Sequence, residues 1–497
     1  MVSLKELLKS TEILDSLYPK DMLVSGLSYH SKKCSEGHIF VCINGYQTDG
    51  HKYLASAVEN GAAAAIVERF QEEIHIPQFR VANSRIALAQ LGAAFYGHPA
   101  ERMRMIGITA TNGKTTTSYM ANAILENHGL KTGLIGTVVI KIDDQTIPSE
   151  LTTPESLDLQ HYLKQMADRE VTHVCMEVSS AALETRRVET VDYDIVTLNN
   201  VSREHIDSHG SFEQYWAAKS SLIRNAGSGS VAVLNLDDSY SASLVTETAA
   251  QVITFGVKSK EGHFYCKDLD LTTGRAKFQF EILKPFQVNN IEFTPGEFTL
   301  ELAVPGLHSV YNSMVATIIG LLCGVSASTI QETFKAFKGV ERRFEFIYEG
   351  DYMIIDDHFA NPGNINVTLE TVKFMHYENL RLLYAIRGNR GTTVNRENAE
   401  AIVEWMKKLE QDELVATRSV SHVTAKDWVS DDEVEVFMEV MNAAKIKVKL
   451  FDELPDAIAD TLSHTQRGDL VIFAGCQGMD PGAEIAHQIL QSKQVNK

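Results

Sequence analysis

The sequence predicts an α/β fold built from three domains. Its 497 residues exceed what one hydrophobic core accommodates and correspond to about three domains of roughly 100–200 residues each. Short apolar runs alternate with helix-like segments along most of the chain, a pattern typical of parallel sheets flanked by helices. Breaks in this alternation place the domains at residues 1–98, 99–340 and 341–497.

The composition is that of a globular protein with an acidic surface. Hydrophobic residues make up 44% of the chain, charged residues make up 22%, and the formal net charge is −19. The chain has no apolar run of about 18 residues, so we expect no membrane span, and its charge disfavours nonspecific binding of nucleic acid or anionic membranes. The six cysteines form no CxxC pair. That spacing disfavours a zinc site or disulfide framework and favours the reducing cytoplasm.

The first domain is predicted to be a small α/β unit. The runs "HIFVCI" (38–43) and "AAAAIVE" (62–68) indicate strands, and "YLASAVENGA" (53–62) predicts a helix that ends at Gly61. The segment "YGHPAERMRM" (96–105) predicts a linker, because Gly97 and Pro99 interrupt any continuous element.

The second domain is predicted to contain a largely parallel sheet. A strand at 103–109 leads through a loop into a helix at 114–127, and further strands are expected at 172–178, 194–200, 230–236 and 251–257. Ligands bind outside the carboxyl ends of such strands, so the loops at 110–115, 177–181 and 199–207 are expected to face one. A β-rich interval at 261–304 and a helix at 309–325 follow.

The third domain is predicted to be Rossmann-like. It begins near Arg342 and contains strand-like runs at 352–357, 380–386 and 469–475, with a helix at 398–411.

The segment "GITATNGKTTT" (107–117) predicts a phosphate-binding loop. Gly113 allows a close backbone approach to phosphate, Lys114 supplies a positive charge, and Thr115 offers a hydroxyl to Mg²⁺. The helix that follows presents free N–H groups to the anion. Ile108 stands where the usual spacing has glycine. The prediction of ATP binding therefore rests on the location of this loop between a strand and a helix.

Lys219 falls on the apolar side of a predicted helix. "SFEQ" (211–214) forms a capping box that starts this helix. Its apolar stripe consists of Phe212, Tyr215, Trp216, Leu222 and Ile223. A lysine in such a place ordinarily directs its amine to solvent, and the pattern alone leaves open whether Lys219 does so or serves chemistry.

Several further motifs resemble a known family. They are "GYQTDGHKYLASAVENGAAAAIVE" (45–68), "LTTPESLDLQ" (151–160), "MEVSSAAL" (176–183), "NNVSREHIDSHGSFEQYWAAKSSL" (199–222), "LNLDD" (234–238), "GLHSVYN" (306–312) and "GVERRFE" (339–345). With "TNGKTTT" they resemble the Mur ligases and their folylpolyglutamate synthetase relatives, most of all the branch that adds the third residue of the peptidoglycan stem. The resemblance is strong over 20–345 and weak beyond.

The resemblance implies an ATP-dependent ligase of the cytoplasm that forms an amide bond. ATP would phosphorylate a small-molecule carboxylate, with a UDP-N-acetylmuramoyl-peptide among the candidates. An amino acid or other amine would then displace the phosphate. Phosphorylation is needed because a carboxylate is a poor electrophile, and catalysis then depends on positioning and charge neutralisation.

The family's functional residues map onto matching positions of this sequence. Those implied in catalysis are Lys114, Glu177, His205 and Lys219. Those implied in nucleotide binding are Thr111, Asn112, Gly113, Lys114, Thr115, Thr116, His308, Asn312, Arg343 and Asp357. Mg²⁺ would be held by Thr115, Glu177, His205 and Lys219, the last as a carbamoylated lysine. Those implied in substrate binding are Ser31, Thr152, Thr153, Ser179, Arg187 and Arg390, with uridine contacts also from "HSK" (30–32) and from Tyr46, Gln47 and Thr48.

Other positions depart from the family's pattern. Ala181 stands where the family has histidine in "SSHAL", "DYAHTP" reads "DHFANP", and the "DNPR" motif for the incoming amino acid is missing. Without the arginine of that motif a bidentate carboxylate clamp is lost, so we expect an altered amine specificity. An orthodox ligase of the third-residue branch and a non-catalytic nucleotide-binding relative remain as alternatives.

Overall fold

The computed structural model of the chain describes residues 1–45, 48–202, 211–339 and 344–495. These residues form two compact units. The first comprises Met1–Phe264, Ile282–Pro295 and Val315–Ile330, and the second comprises Tyr265–Glu281, Gly296–Met314 and Gln331–Lys497. Both units alternate strands with helices, which confirms the predicted α/β class.

The beginning of the first unit is built on a five-stranded sheet. Its strands lie in the order Asp15–Leu17, Gln78–Arg80, Ala62–Val67, His38–Val41 and Gly26–Ser28, and all neighbours are parallel except the first pair. The helices of this part are Leu4–Leu7, Leu54–Glu59 and Ser84–Tyr96, and Val2–Ser3 pairs with Leu23–Val24. The helix predicted at 53–62 is confirmed, and Gly61 follows it with φ 105°.

The predicted linker at 96–105 is shorter than expected. Gly97 ends the helix Ser84–Tyr96 in the left-handed conformation, with φ 72°. Pro99–Arg102 then forms a 3₁₀ helix, and the strand Arg104–Thr109 begins two residues later. Proline at the first position has its φ already set for a helical turn. The buried Ala100 and Met103 tie this segment to the central core.

The central sheet of the first unit is mostly parallel, as predicted. Its strands lie in the order Gln145–Pro148, Val139–Ile142, Thr132–Ile135, His173–Glu177, Arg104–Thr109, Ile195–Leu198, Val231–Asn235 and Gln251–Gly256. Only the two pairs that involve Val139–Ile142 are antiparallel. The accompanying helices are Lys114–Asn127, Ser156–Asp168, Ser180–Glu184, Phe212–Arg224 and Ser239–Ser243. Since His173–Glu177 and Ile195–Leu198 flank Arg104–Thr109, the loops after all three strands meet at one edge.

The β-rich interval predicted at 261–304 contains five strands. They are Phe264–Asp270, Arg275–Ile282, Phe286–Val288, Ile291–Phe293 and Gly296–Pro305, and the two short strands form an antiparallel hairpin. The helices Leu307–Leu322 and Ala327–Ala336 follow, and each has residues in both units.

The second unit contains a six-stranded sheet. Its order is Glu345–Glu349, Met353–Asp357, Leu470–Gly475, Leu380–Ala385, Glu413–Thr417 and Lys447–Phe451, with only the first pair antiparallel. Its helices are Pro362–Val372, Gly391–Lys408, Asp431–Ala443, Leu454–Ser463 and Gly482–Val495.

The helix predicted at 398–411 begins earlier than expected, at Gly391, and ends at Lys408. The buried Glu433 carboxylate accepts hydrogen bonds from the backbone N–H groups of Asn389, Arg390 and Gly391. A remote side chain therefore caps this helix, and the local sequence does not reveal it.

The six cysteines are free thiols, five of them buried. Among the described residues, we found no helix with both the length and the apolar character needed to cross a bilayer.

Candidate functional site

The phosphate loop, residues 110–113, joins the strand Arg104–Thr109 to the helix Lys114–Asn127. Gly113 has φ 90° and ψ 0°, a left-handed conformation that glycine adopts without steric cost. The turn brings the first N–H groups of the helix, and the positive end of its dipole, to the carboxyl edge of the sheet. This is the arrangement that binds phosphate at helix N-termini. The predicted residues Thr111, Asn112 and Gly113 lie on this loop, and Lys114, Thr115 and Thr116 are the first three residues of the helix.

The neighbouring loop after Ile195–Leu198 holds the phosphate loop in place. The backbone N–H of Thr111 donates to the Asn200 carbonyl at 2.9 Å, and that of Asn112 donates to Asn200 Oδ1 at 2.9 Å. The Thr111 hydroxyl lies 2.8 Å from the Tyr215 hydroxyl and accepts from Ser202 N–H. The sequence analysis did not single out Asn200 or Tyr215 for this role, although both lie within the quoted motif 199–222.

The two predicted catalytic lysines converge on one backbone oxygen. Lys114 Nζ donates to the Ala110 carbonyl at 2.8 Å and to the Thr111 carbonyl at 3.0 Å. Lys219 Nζ also donates to the Ala110 carbonyl at 2.8 Å. Both amines therefore lie at the base of the phosphate loop.

Lys219 is buried, with 1% of its surface exposed. Its helix, Phe212–Arg224, starts at Ser211, whose hydroxyl accepts from the Gln214 N–H at 3.2 Å. Tyr215 and Leu222 of the predicted stripe are buried with it, and Lys219 Nζ lies 5.0 Å from the centroid of the Tyr215 ring. The amine thus points into the protein and not, as is usual for a helical lysine, toward solvent.

Glu177 ends the strand His173–Glu177 and is fully buried. Its carboxylate accepts from the Thr115 hydroxyl at 2.9 Å, from the Thr137 N–H at 2.8 Å and from the Thr137 hydroxyl at 3.0 Å. Burial raises the pKa of this carboxyl, and the hydrogen bonds from Thr137 and the charge of Lys114 partly oppose that shift. Gly136 leaves the space that the carboxylate occupies, since a Cβ there would collide with Glu177 Oε1.

Thr115 and Glu177 suit a magnesium ion. Their oxygens are hard donors that lie 2.9 Å apart at the end of the phosphate loop. Mg²⁺ usually takes one or two carboxylates and completes its shell with water and substrate phosphates. The donor set found here therefore fits the ion that the sequence analysis expects.

The residues predicted to bind the carboxylate substrate lie around the same strand end. The Thr153 hydroxyl donates to the Glu177 backbone carbonyl at 2.8 Å and lies 3.3 Å from the Ser179 hydroxyl. The Thr152 hydroxyl lies 3.1 Å from that of Thr137, which itself donates to the Glu177 carboxylate. The structure thus brings Thr152, Thr153 and Ser179 together with the phosphate loop.

Arg187 extends this cluster. Its guanidinium donates to the Thr153 carbonyl at 2.9 Å and pairs with Glu155 at 2.9 Å. Arg187 Nε is buried and has no hydrogen-bond partner among the described residues. Glu155, which pairs with this guanidinium, was not predicted from the sequence.

A pocket lies within the first unit near Ser31, which is predicted to bind the substrate. Its lining includes Tyr29, His30, Tyr96, Asp158 and His161. The Tyr29 hydroxyl donates to Asp158 at 2.5 Å, and burial, reinforced by this carboxylate, raises the pKa of Tyr29 above its usual value. Ser31 is buried beside this lining without being part of it, and its carbonyl accepts from Asn60 at 3.2 Å.

The second unit carries four further predicted residues. Asn312 is buried, and the His308 ring lies 6.4 Å from that of Phe344. The Asp357 carboxylate accepts from the backbone N–H groups of Phe344 and His358 and from the Thr368 hydroxyl. Arg390 pairs with Asp427 at 3.1 Å.

Four residues predicted to act at the site lie outside the described residues. They are His205, Arg343, Tyr46 and Gln47.

Comparison with known proteins identifies the family. The model for the "Mur ligase family, catalytic domain" matches residues 23–96, that for the "Mur ligase middle domain" matches 108–320, and that for the "Mur ligase, glutamate ligase domain" matches 342–477. The UDP-N-acetylmuramoyl-L-alanyl-D-glutamate--2,6-diaminopimelate ligase of Geobacillus thermodenitrificans is 34% identical over 463 residues, which are 91% of this chain and 89% of the relative. The ligase of the same name from Halalkalibacterium halodurans is 31% identical over 480 residues, 94% of each chain.

The chain belongs to the Mur ligase family. Solved structures of similar fold include a UDP-N-acetylmuramoyl-L-alanyl-D-glutamate--2,6-diaminopimelate ligase, with a TM-score of 0.71, 22% identity and 99% of each chain covered. They also include the MurF ligase from Thermotoga maritima in complex with ADP, with a TM-score of 0.65, 20% identity, and 94% of this chain and 98% of that chain covered.

This Mur ligase therefore has the three-domain α/β fold of the family, and it is an ATP-dependent enzyme that forms a carbon–nitrogen bond. The family that the sequence motifs resemble is confirmed. The roles of the individual residues remain predictions.

Proposed function

We propose that this Mur ligase phosphorylates the carboxylate of a UDP-N-acetylmuramoyl-peptide, of the UDP-N-acetylmuramoyl-L-alanyl-D-glutamate type, and joins it to an amine. The curated relatives carry this substrate in their names. The proposal rests on Glu177, which contacts both the phosphate-binding segment and the cluster predicted to bind the carboxylate. Its carboxylate accepts from Thr115 of the phosphate loop, and its backbone carbonyl accepts from Thr153 of the carboxylate cluster. The two halves of a phosphoryl transfer thus meet at one residue.

The first step needs the carboxylate oxygen to lie in line with the γ-phosphorus of ATP. In this proposal Thr153, Ser179 and Arg187 bind and orient the carboxylate, while Lys114 and the N-terminus of its helix hold the phosphates. A carboxylate oxygen forms a bond to phosphorus as the bond to ADP breaks. Such a transfer requires positioning and neutralisation of charge more than covalent help from the protein.

The second step exchanges phosphate for the amine. The amine nitrogen attacks the acyl carbon, phosphate leaves with the bonding electrons, and the nitrogen loses a proton as the amide forms. Magnesium held by Thr115 and Glu177 would neutralise charge on the phosphates. Glu177 is well placed for this role because three hydrogen bonds fix its carboxylate.

Lys219 is proposed to act as a carbamate. A buried ammonium is costly to keep charged. Once the amine is neutral, its nitrogen adds to CO₂ and releases a proton, and the resulting carbamate offers two oxygens suited to a hard cation. Its position beside Lys114, at the Ala110 carbonyl, puts those oxygens next to the phosphate loop. His205 is proposed to complete the metal site.

The uridine end of the substrate is proposed to bind in the first domain. Aromatic and imidazole rings from Tyr29, Tyr96 and His161 line the pocket there, together with polar groups that can orient a base. Ser31 lies buried beside it. The nucleotide is proposed to contact His308, Asn312, Arg343 and Asp357. Arg390 is proposed to face the amine.

Two candidates for the identity of the amine substrate have support. Diaminopimelate is supported by the names of the relatives, which match more than nine-tenths of the chain. An altered amine is supported by the sequence, in which Ser421 and its neighbours replace the "DNPR" motif. The domain bounds are proposed to be 1–98, 99–340 and 341–497. The protein is also proposed to be cytoplasmic, and its six free thiols support this location.

A substrate-omission assay tests the proposed reaction. We expect ADP release from ATP only when both UDP-N-acetylmuramoyl-L-alanyl-D-glutamate and an amine are present, with a ligated product of matching mass. ADP release that does not depend on the UDP-linked dipeptide, or no ADP release with any amine, would overturn the proposal.

Arg187 offers a matched pair of variants for the same assay. We expect Arg187→Met to raise the KM for the dipeptide by about 10- to 100-fold, the loss of a charge-assisted hydrogen bond, with the KM for ATP little changed. The control is Arg186→Met, since Arg186 is exposed and pairs only with Glu189 among the described residues. Equal effects of the two substitutions would count against a carboxylate site at Arg187.

A further inference from the structure

The turn at Gly388–Arg390 is rigidly built. Glu433, 2% exposed, accepts from the N–H groups of Asn389, Arg390 and Gly391 at 3.1, 2.8 and 2.8 Å. Gly388 packs against the backbone of Asp427 and Trp428 so closely that a Cβ would collide with it. The segment 424–429 is therefore fastened to the turn that carries Arg390.

The guanidinium of Arg390 is already occupied by this segment. Its Nη2 donates to the Asp427 carboxylate at 3.1 Å, and its Nη1 donates to the carbonyls of Asn389 and Lys426 at 3.0 and 3.4 Å. A carboxylate on the incoming amine would have to displace Asp427 before it could pair with this arginine.

The residues that replace the missing motif also make contacts within the chain, although Arg418 Nε is buried without a hydrogen-bond partner among the described residues. Arg418 donates to Asp431 at 3.0 Å and to the Val429 carbonyl at 3.1 Å. Ser421 donates to Glu453 at 2.7 Å. Asp431 thus pairs with Arg418 in the same way as Asp427 pairs with Arg390.

A further feature of this surface suits a different ligand. Trp428, next to Asp427, is 46% exposed, and an exposed indole face attracts both alkyl chains and ammonium groups.

We propose that the acceptor of this Mur ligase is a primary alkylamine or diamine without a carboxylate, because Asp427 takes the place of the substrate carboxylate on Arg390. The inference rests on the proposed function and names the amine class for that reaction. Asp427 acts here as a specificity-determining residue.

Three amines with the same diaminopentane backbone test the inference. They are cadaverine, L-lysine and meso-diaminopimelate, which carry no, one and two carboxylates. With ATP and UDP-N-acetylmuramoyl-L-alanyl-D-glutamate, we expect kcat/KM for cadaverine to exceed that for lysine by at least about tenfold, since an unpaired carboxylate would face Asp427. A wild-type preference for lysine or diaminopimelate would overturn this inference while leaving the proposed ligase reaction standing. No ADP release with any amine would overturn both.

The variant Asp427→Asn removes the negative charge that pairs with Arg390 and so weakens this contact without changing the size of the side chain. We expect it to lower the KM for lysine and to shift the lysine-to-cadaverine ratio of kcat/KM toward lysine by about tenfold. The matched control is Asp432→Asn, an exposed position that removes the same charge from the next helix. A ratio unchanged in Asp427→Asn, or shifted equally in Asp432→Asn, would refute the role of Asp427. Thermal unfolding of each variant shows that it remains folded.

Discussion

Replacing Lys219 by methionine separates a catalytic role from a structural one. Methionine nearly preserves the length and volume of the side chain, but it removes the amine that could be carbamoylated. The substitution deletes the hydrogen bond from Nζ to the Ala110 carbonyl at 2.8 Å and the contact with the Tyr215 ring at 5.0 Å.

For Lys219 in its unmodified ammonium form, which also donates to the Thr109 hydroxyl at 3.4 Å, the energetic cost follows from these contacts. A hydrogen bond from a charged donor contributes about 1.5–3 kcal/mol, and a cation–π contact contributes about 0.5–2 kcal/mol. Against this loss, relief of the buried ammonium's desolvation is worth several kcal/mol. Because the two contributions are similar in size, we expect the free energy of unfolding to change by less than about 2 kcal/mol.

The effect on activity should be far larger. Loss of one preorganised electrostatic group at a reacting centre typically lowers kcat by about 10²–10³. We expect amine-dependent ADP release by Lys219→Met to fall by at least this factor, while its urea-unfolding midpoint stays near that of the wild type. With ¹³C-bicarbonate, a carbamate signal should appear in the wild-type protein and be missing from the variant.

Lys131→Met provides the control, because Lys131 is half exposed and pairs with Glu170 at 3.1 Å on the surface of the same unit. It should leave ADP release unchanged. Turnover by Lys219→Met within tenfold of the wild type would refute the catalytic role. A urea-unfolding midpoint far below that of the wild type would refute the expectation that the free energy of unfolding changes by less than about 2 kcal/mol.

Two further substitutions probe the Glu177 carboxylate. Glu177→Gln should lower ADP release by about 10²–10³ without lowering stability at neutral pH. The raised pKa of Glu177 means that its contribution to stability is greatest below the ordinary value of about 4.3 and is lost as pH rises through the folded-state value. Urea unfolding should therefore show the stability of Glu177→Gln rising relative to that of the wild type as pH increases from about 4; a fall in its relative stability with rising pH contradicts the assignment. Gly136→Ala should push the carboxylate away from Thr115 and raise the KM for magnesium–ATP by roughly tenfold. An unchanged KM, measured by ADP release at saturating amine, would show that the carboxylate position does not matter for nucleotide binding.

Much of the fold follows from local patterns. The helix Lys114–Asn127 and the strands around it lie where their apolar runs predicted, because a buried parallel strand needs a continuous apolar run. The helix at Gly391–Lys408 shows the limit of this approach. Its first residues lack a local capping signal, and Glu433, from another helix, supplies the cap.

The candidate site divides in the same way. The phosphate-loop pattern named Lys114 without help from the structure, whereas Glu177 and Lys219 received their predicted roles from the resemblance to the family. Thr137, Asn200 and Glu155 were missed because each acts only through a residue that is distant in sequence, Glu177, Asn112 and Arg187 respectively.

The sequence by itself therefore determined the phosphate loop, the order of strands and helices, and the chemistry of an acyl-phosphate ligase. Glycine at a left-handed turn and lysine on an apolar stripe are local facts. Only the tertiary structure decided that Lys114 and Lys219 share the Ala110 carbonyl, that Thr115 and Thr153 meet at Glu177, and that Asp427 occupies Arg390. Such contacts join segments that are far apart in the chain, and their geometry depends on how the strands are ordered in the sheets.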